Sequence, residues 1–154
     1  MRISEEEQNC TDFDWFCVDS NGNVGHFASA GFKTLPPTVS ESAEDLSFLS
    51  AFFNGLNATP EAHVLDELLS PEHRTERYLR SFIAMANRGL FSFDIESYLK
   101  SDICYFRVAM PKVPLRLVDI PPNVREVLGR TILKGHLLES CSTQVPGCCI
   151  QRRI

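Results

Sequence analysis

The chain has 154 residues, of which 44% are hydrophobic and 23% are charged, so its composition suits one globular domain and excludes a disordered chain. No uncharged apolar run is long enough to span a bilayer, and the first residues lack the pattern of a signal peptide, so we expect a cytoplasmic protein. A net charge of −5, concentrated in an acidic first half, argues against nucleic acid and membrane phosphates as partners.

A β-hairpin is the first predicted element. Positions 13–18 are rich in aromatic and β-branched residues, the stretch resumes over positions 24–28, and the pair Asn21-Gly22 lies between them. Asn-Gly is the preferred pair for a two-residue type I′ turn, because both central residues need positive φ. Such a turn would place Cys17 directly opposite His26. We expect the aromatic side chains of the hairpin to lie in the core.

The middle of the chain, about residues 41–88, is predicted to be helical. Apolar side chains recur at three- and four-residue spacing over residues 41–54, which indicates an amphipathic helix. A short second helix is predicted over residues 60–69. A third helix begins with Pro71 in its first turn and ends near Gly89, since glycine suits the left-handed position after a helix.

The last part of the chain returns to strands. Residues 103–110 and 115–118 are dense in strand-forming types, residues 124–128 suit a short helix, and residues 131–134 and 136–138 are further candidate strands. Strands at both ends of a helical middle predict an α+β fold. In this fold a mostly antiparallel sheet, with an N-terminal hairpin, is covered by the helices on one face.

The whole chain is predicted to be a single domain, residues 1–154, with flexible ends at residues 1–11 and 141–154. Its six cysteines are expected to be reduced thiols, because no export signal accompanies them.

Familiar catalytic motifs are absent from the sequence. It contains no phosphate-binding glycine loop, no His-Glu-x-x-His pair, no Gly-x-Ser-x-Gly elbow and no Cys-x-x-Cys pair, so we predict no catalytic site and no cofactor. The strongest alternative is a thiol enzyme that uses Cys17 and His26, because a neighbouring imidazole can lower a thiol pKa and create a nucleophile. The structural interpretation of the same pair is a small buried cysteine beside a polar residue of a sheet.

The C-terminal end carries candidate metal ligands. Cys141, Cys148 and Cys149, with His136 nearby, carry atoms that zinc prefers. Their spacing matches none of the usual paired-ligand patterns, so we predict no metal site. The alternative is a locally packed or unconstrained end of the chain.

The acidic half of the chain is the main electrostatic feature. Residues 1–70 hold 2 basic and 12 acidic residues, whereas residues 71–154 hold 13 basic and 8 acidic ones. An acidic surface steers and retains a basic protein partner, although an acidic surface that is only solvated remains the alternative. The candidate partner-binding positions are Glu41, Glu44, Asp45, Glu61, Asp66 and Glu67.

Two stretches resemble a known type of protein. Residues 14–32, with the motif Asp-Trp-Phe-Cys-Val-Asp-Ser-Asn-Gly-Asn, and the following Leu35-Pro36 resemble the opening of small bacterial immunity proteins of polymorphic-toxin systems. Residues 105–122, with their Pro-Leu and Ile-Pro elements, are similar to the second half of those proteins. The resemblance implies a cytosolic, non-enzymatic protein that binds a toxin domain and inactivates it. The acidic half would suit a basic toxin such as a nuclease, and a ligand-binding or structural subunit is the remaining alternative.

Overall fold

The computed structural model describes residues 1–32, 34–65, 69–97, 104–135, 137–139, 145–146 and 150–152. None of the helices in these ranges is both long and apolar enough to cross a membrane. The helices are α1 (Glu5–Cys10), α2 (Pro37–Ser40), α3 (Ala43–Asn54), α4 (Glu76–Ala86) and α5 (Pro122–Leu128), with 3₁₀-helices at Pro71–Arg74 and Leu117–Asp119. The strands are β1 (Asp14–Val18), β2 (Val24–Ala28), β3 (His63–Val64), β4 (Phe91–Ser97), β5 (Cys104–Met110), β6 (Thr131–Leu133), β7 (Val145–Pro146) and β8 (Ile150–Arg152).

The described strands form one mixed sheet in the order β3-β5-β4-β2-β1-β6-β8, with β7 beside β5. Neighbouring strands are antiparallel except for the parallel pairs β2 with β4 and β1 with β6. The chain leaves β2, passes through the helical middle and returns beside β2 as β4, a long crossover of the kind that parallel neighbours require. The predicted α+β fold with a mostly antiparallel sheet and an N-terminal hairpin is confirmed.

The connection between β1 and β2 is longer than the predicted two-residue turn. The Asp19 carboxylate accepts hydrogen bonds through Oδ1 from the backbone N–H groups of Asn21, at 3.0 Å, and Asn23, at 2.9 Å. The backbone N–H of Asp19 donates to the carbonyl oxygen of Asn23 at 3.1 Å. A side chain that satisfies the turn backbone in this way stabilises a wider loop, with Gly22 at a φ of 77°.

This wider loop changes the register of the hairpin. Phe16 lies opposite His26, and Cys17 lies opposite Gly25. A one-residue shift moves a side chain to the other face of a sheet, so Cys17 and His26 point to opposite faces. The predicted pairing of Cys17 with His26 is wrong.

Helices α3 and α4 cover one face of the sheet, as predicted for the helical middle. Phe53 of α3 packs against Phe16 with ring centroids 4.6 Å apart, and Phe82 of α4 lies 6.0 Å from the ring of His26. Helix α3 begins after Ser42, whose side chain accepts a hydrogen bond from the Asp45 N–H at 3.1 Å. Both helices therefore follow from their apolar spacing and capping residues.

Three other predicted elements are wrong, of which the strand over residues 136–138 is described below. The helix predicted over residues 60–69 is absent at His63–Val64, which forms the short strand β3 and pairs with the end of β5. The strand predicted over residues 115–118 does not form: Arg116 makes one isolated β-bridge with Asn23, and a 3₁₀-helix begins at Leu117. Its backbone N–H groups bond to turns instead of a strand: Leu115 donates to the Gly89 carbonyl at 2.9 Å, and Leu117 donates to the Gly22 carbonyl at 2.8 Å.

The opposite face of the sheet carries an aromatic row that runs across four strands. The ring of Phe27 stacks on Trp15 at 4.5 Å and on Phe93 at 4.7 Å, while Tyr105 meets Phe27 edge-on at 5.0 Å. All four side chains are buried, so the prediction that the hairpin aromatics belong to the core is confirmed. Burial raises the pKa of Tyr105 to about 12, because a phenolate would lose its hydration.

Residues 137–139 close over the same face and do not form the strand predicted over 136–138. The N–H of Leu138 donates to Asp19 Oδ2 at 2.9 Å, and Nη1 of Arg107 donates to the carbonyl oxygens of Leu138 and Glu139, each at 2.9 Å. Leu138 is fully buried and occupies the room left by Gly25, where an added Cβ would lie 3.2 Å from its methyl groups. Residue 136 lies outside the described residues.

Candidate functional site

The candidate nucleophile of the hairpin, the thiol of Cys17, is buried in the core. Cys17 is 0% exposed and lies on the face that carries the aromatic row, away from the imidazole of His26. A nucleophilic thiol must reach its substrate and have a base within hydrogen-bond distance. The geometry therefore offers no Cys17–His26 nucleophile.

The partners of His26 are an aspartate and a serine from the neighbouring strands. Its Nε2 lies 2.9 Å from Oδ1 of Asp14 on β1, and its Nδ1 lies 2.5 Å from Oγ of Ser92 on β4. These three residues face the helices, where His26 packs between the rings of Phe16 and Phe82. The network joins three adjacent strands through side chains as well as through backbone hydrogen bonds.

In this Asp14–His26–Ser92 network the exposure of the serine and the aspartate is the opposite of that in a hydrolytic triad. In such a triad the serine faces the substrate and the aspartate is buried behind the histidine. Here Ser92 and His26 are 0% exposed, whereas the side chain of Asp14 is 47% exposed. A substrate cannot reach the hydroxyl without moving α4, so the network satisfies buried polar groups and stabilises the fold.

A second polar contact ties the start of α4 to the sheet. The hydroxyl of Tyr78 donates to Oδ2 of Asp94 at 2.5 Å, and the N–H of Ile95 donates to Oδ1 at 2.8 Å. Burial raises the pKa of the Asp94 carboxyl, and the hydrogen bond from Tyr78 opposes that shift. Burial, followed by the charge of Asp94, raises the pKa of Tyr78. The ring of His73 stacks on Tyr78 at 4.5 Å and shields the contact.

Three of the six predicted partner-binding residues lie together around the start of α3. Glu41 and Glu44 are exposed, and Asp45 is partly exposed. The N-terminal amine contacts Glu44, and this hydrogen bond is the largest cause that lowers its pKa. Asp45 accepts a hydrogen bond from Nη1 of Arg130 at 2.6 Å. Local cations therefore offset part of the charge at this position.

The structure adds three acids that the sequence-based prediction missed. Helix α1 is held beside the start of α3, because the N–H of Ile3 donates to the Ser40 carbonyl and the N–H of Ala43 donates to the Met1 carbonyl, each at 2.8 Å. Ser4 and Glu7 form a capping box, a Ser-x-x-Glu pattern that would have revealed this helix. We call the combined surface the acidic face, and it consists of Glu5, Glu6, Glu7, Glu41, Glu44 and Asp45.

Glu61 lies apart from the acidic face. It accepts a hydrogen bond from Lys112 at 2.9 Å, beside Asn87, near the C-terminal end of α3. A 12-residue helix is about 18 Å long, so Glu61 and Asp45 are near opposite ends of α3. Asp66 and Glu67 lie outside the described residues.

Two surface cavities accompany these charges. One, of about 240 Å³, lies between the Asn87–Gly89 turn and the loop that carries Lys112 and Val113. Val113 is 74% exposed at its rim. The other, of about 230 Å³, lies within the acidic face and is lined by Thr38, Glu41, Ser42, Asp45 and Arg130.

Within the described parts of the chain, no group of three or more His, Cys, Asp or Glu side chains is arranged to hold a metal ion. The candidate zinc ligands His136, Cys141, Cys148 and Cys149 lie outside the described residues. No protein-family model matches the chain, and no curated protein or solved structure is significantly similar to it.

Proposed function

We propose that this protein is a non-catalytic protein-binding module of the immunity type, which neutralises a cognate bacterial toxin by direct binding. The observation that supports this proposal is the acidic face, where two segments that carry exposed acids, α1 and the start of α3, are held beside each other. The candidate catalytic groups of the hairpin and its neighbouring strand, in contrast, are inside the fold: His26 and Ser92 are 0% exposed, and so is Cys17.

A basic protein is the partner that such a surface favours. Arg2, Arg130 and the N-terminal amine offset part of the charge of the acidic face, but six carboxylates leave it negative. Complementary charge mainly raises the association rate and the specificity, while exposed ion pairs add little affinity each. We therefore expect binding that weakens as salt rises. Nucleic acid, with its phosphates, would be repelled.

Charge reversal tests the acidic face. The triple variant Glu5→Lys, Glu6→Lys and Glu41→Lys changes exposed acids and leaves the capping box in place. A matched control, Glu72→Lys, Glu76→Lys and Glu139→Lys, changes the net charge equally at exposed acids outside the acidic face. Each tagged protein would be used to capture its partner from bacterial cytosol at low and high salt.

One stoichiometric partner that binds the wild type and the control variant, but not the acidic-face variant, would support the proposal. The captured partner should arrest growth when it is expressed alone and should be harmless when it is expressed with this chain. A partner without toxicity would contradict the immunity function. Equal capture by both triple variants would contradict the role of the acidic face.

A further inference from the structure

The two Asn-Gly pairs of the chain differ sharply in their surroundings. In any Asn-Gly pair, the backbone nitrogen of glycine can attack the side-chain amide carbon of asparagine, because no Cβ on the glycine blocks the approach. One C–N bond forms in a five-membered succinimide ring, and the bond to the departing ammonia breaks. Water then opens the ring to aspartate or isoaspartate. The chain offers this chemistry at Asn21-Gly22 and at Asn54-Gly55.

At Asn21 the arrangement assists the attack. Asn21 is exposed in the β1–β2 turn, and its backbone carbonyl oxygen accepts a hydrogen bond from Nη2 of Arg116. When the Gly22 nitrogen loses its proton to hydroxide, the negative charge spreads onto this same carbonyl oxygen. A guanidinium that already donates to the atom where charge develops stabilises that anion. One hydrogen bond opposes the step, from the Gly22 N–H to the Asp19 carbonyl at 3.1 Å.

At Asn54 both reacting groups are occupied. The side-chain amide of Asn54 donates to the Ser50 carbonyl at 2.8 Å. The N–H of Gly55 donates to the carbonyls of Ala51 and Phe52 at 3.1 and 3.2 Å, as part of the last turn of α3. Ring closure at this pair must therefore open the end of the helix.

We propose that Asn21 is a site of spontaneous deamidation, and that Arg116 accelerates the reaction by stabilising the charge on the Asn21 carbonyl oxygen. The products place a new carboxylate beside Asp19. Isoaspartate also lengthens the backbone inside the loop that Asp19 organises, which loosens the hydrogen bonds from Arg116 and Leu117 to this loop. This chemistry does not depend on the proposed protein partner.

Peptide mass spectrometry tests the proposal on the folded, full-length chain. After incubation at mildly alkaline pH, cleavage at basic residues places Asn21 and Asn54 on different peptides, and Asn23 on the same peptide as Asn21. We expect deamidation to be roughly tenfold faster at Asn21 than at Asn54, because fewer hydrogen bonds must open. Asn23 is buried and bonded to Asp19 and Arg116, and it should stay intact.

Two variants and a denatured control separate the causes. Arg116→Gln should slow the reaction at Asn21 by about three- to tenfold, less than the loss of a buried oxyanion donor, because the site is exposed. Arg116→Lys keeps the charge and should lie between Arg116→Gln and the wild type. In denaturant the two Asn-Gly pairs should react at similar rates.

If Arg116→Gln merely loosened the turn, Asn21 would deamidate faster than in the wild type, whereas the proposed role of Arg116 predicts slower deamidation. Equal rates at Asn21 and Asn54 in the folded protein would overturn the proposed site. An unchanged or faster rate in Arg116→Gln would overturn the role of Arg116.

Discussion

The buried hydrogen bond between His26 and Ser92 can be tested by removing its two partners separately and together. His26→Leu keeps an apolar body of similar size beside Phe16 and Phe82 but leaves the Ser92 hydroxyl buried without a partner. Ser92→Ala leaves Nδ1 of His26 unpaired in the same way. The double variant removes both polar groups, so neither position leaves a buried group without its hydrogen-bond partner.

The expected magnitudes follow from the cost of an unsatisfied buried group, about 1–3 kcal/mol. Each single variant should lose about 2 kcal/mol of unfolding free energy, whereas the double variant should lose about 1–2 kcal/mol instead of the sum of about 4 kcal/mol. For a chain of this size, 2 kcal/mol lowers the melting temperature by about 4–8 °C. The interaction free energy between the two positions is therefore about 2–3 kcal/mol.

Urea denaturation measures these values, since the single tryptophan, Trp15, is fully buried and its fluorescence reports unfolding. The midpoints of the wild type, the two single variants and the double variant complete the cycle. Additive losses would show that His26 and Ser92 do not interact. The double variant should also bind the proposed partner as the wild type does, and loss of that binding in a folded double variant would refute a purely structural role for the network.

Gly89→Ala should cost about 2–4 kcal/mol in the same denaturation, because Gly89 has a φ of 96° and an added Cβ would lie 2.6 Å from the backbone nitrogen of Leu115. A loss well below 1 kcal/mol would contradict that contact. The raised pKa of Asp94 means that the folded state binds the proton of this carboxyl more tightly than the unfolded chain does. The stabilisation from this bound proton should therefore decrease as pH rises above the ordinary aspartate pKa. Asp94→Asn should remove this pH dependence of the unfolding free energy. The pKa of Tyr105, about 12, implies a further loss of stability as pH rises above about 10, which Tyr105→Phe should reduce in alkaline denaturation.

Local signals in the sequence predicted the elements whose structure depends on nearby residues. The spacing of apolar residues predicted α3, and the position of Gly89 predicted the end of α4. The density of strand-forming residues predicted the hairpin and β5. These features act over a few residues, through side-chain periodicity and backbone conformation, so they are visible without the rest of the chain.

The same local signals failed where distant partners compete for the backbone. The segment around His63 has an acceptable helical pattern, but it pairs with Met110 at the edge of the sheet. The segment around Leu117 has strand-forming residues, yet its N–H groups bond to turns that lie far away in sequence. A buried backbone must be satisfied by whichever partner the fold brings close, and that partner is not encoded in a short window.

The residues of the candidate site show the same contrast between local sequence signals and contacts between distant segments. Composition and motifs alone establish that the first half of the chain is acidic and that no familiar catalytic motif is present. The folded chain, in contrast, is needed to show that α1 joins the start of α3 in the acidic face, that Glu61 lies elsewhere, and that Cys17 and His26 are on opposite faces of the sheet. Composition is a sum over residues, whereas register and proximity depend on single hydrogen bonds. The loop at Asp19 has one residue more than the predicted two-residue turn, and this difference places Cys17 opposite Gly25 instead of His26.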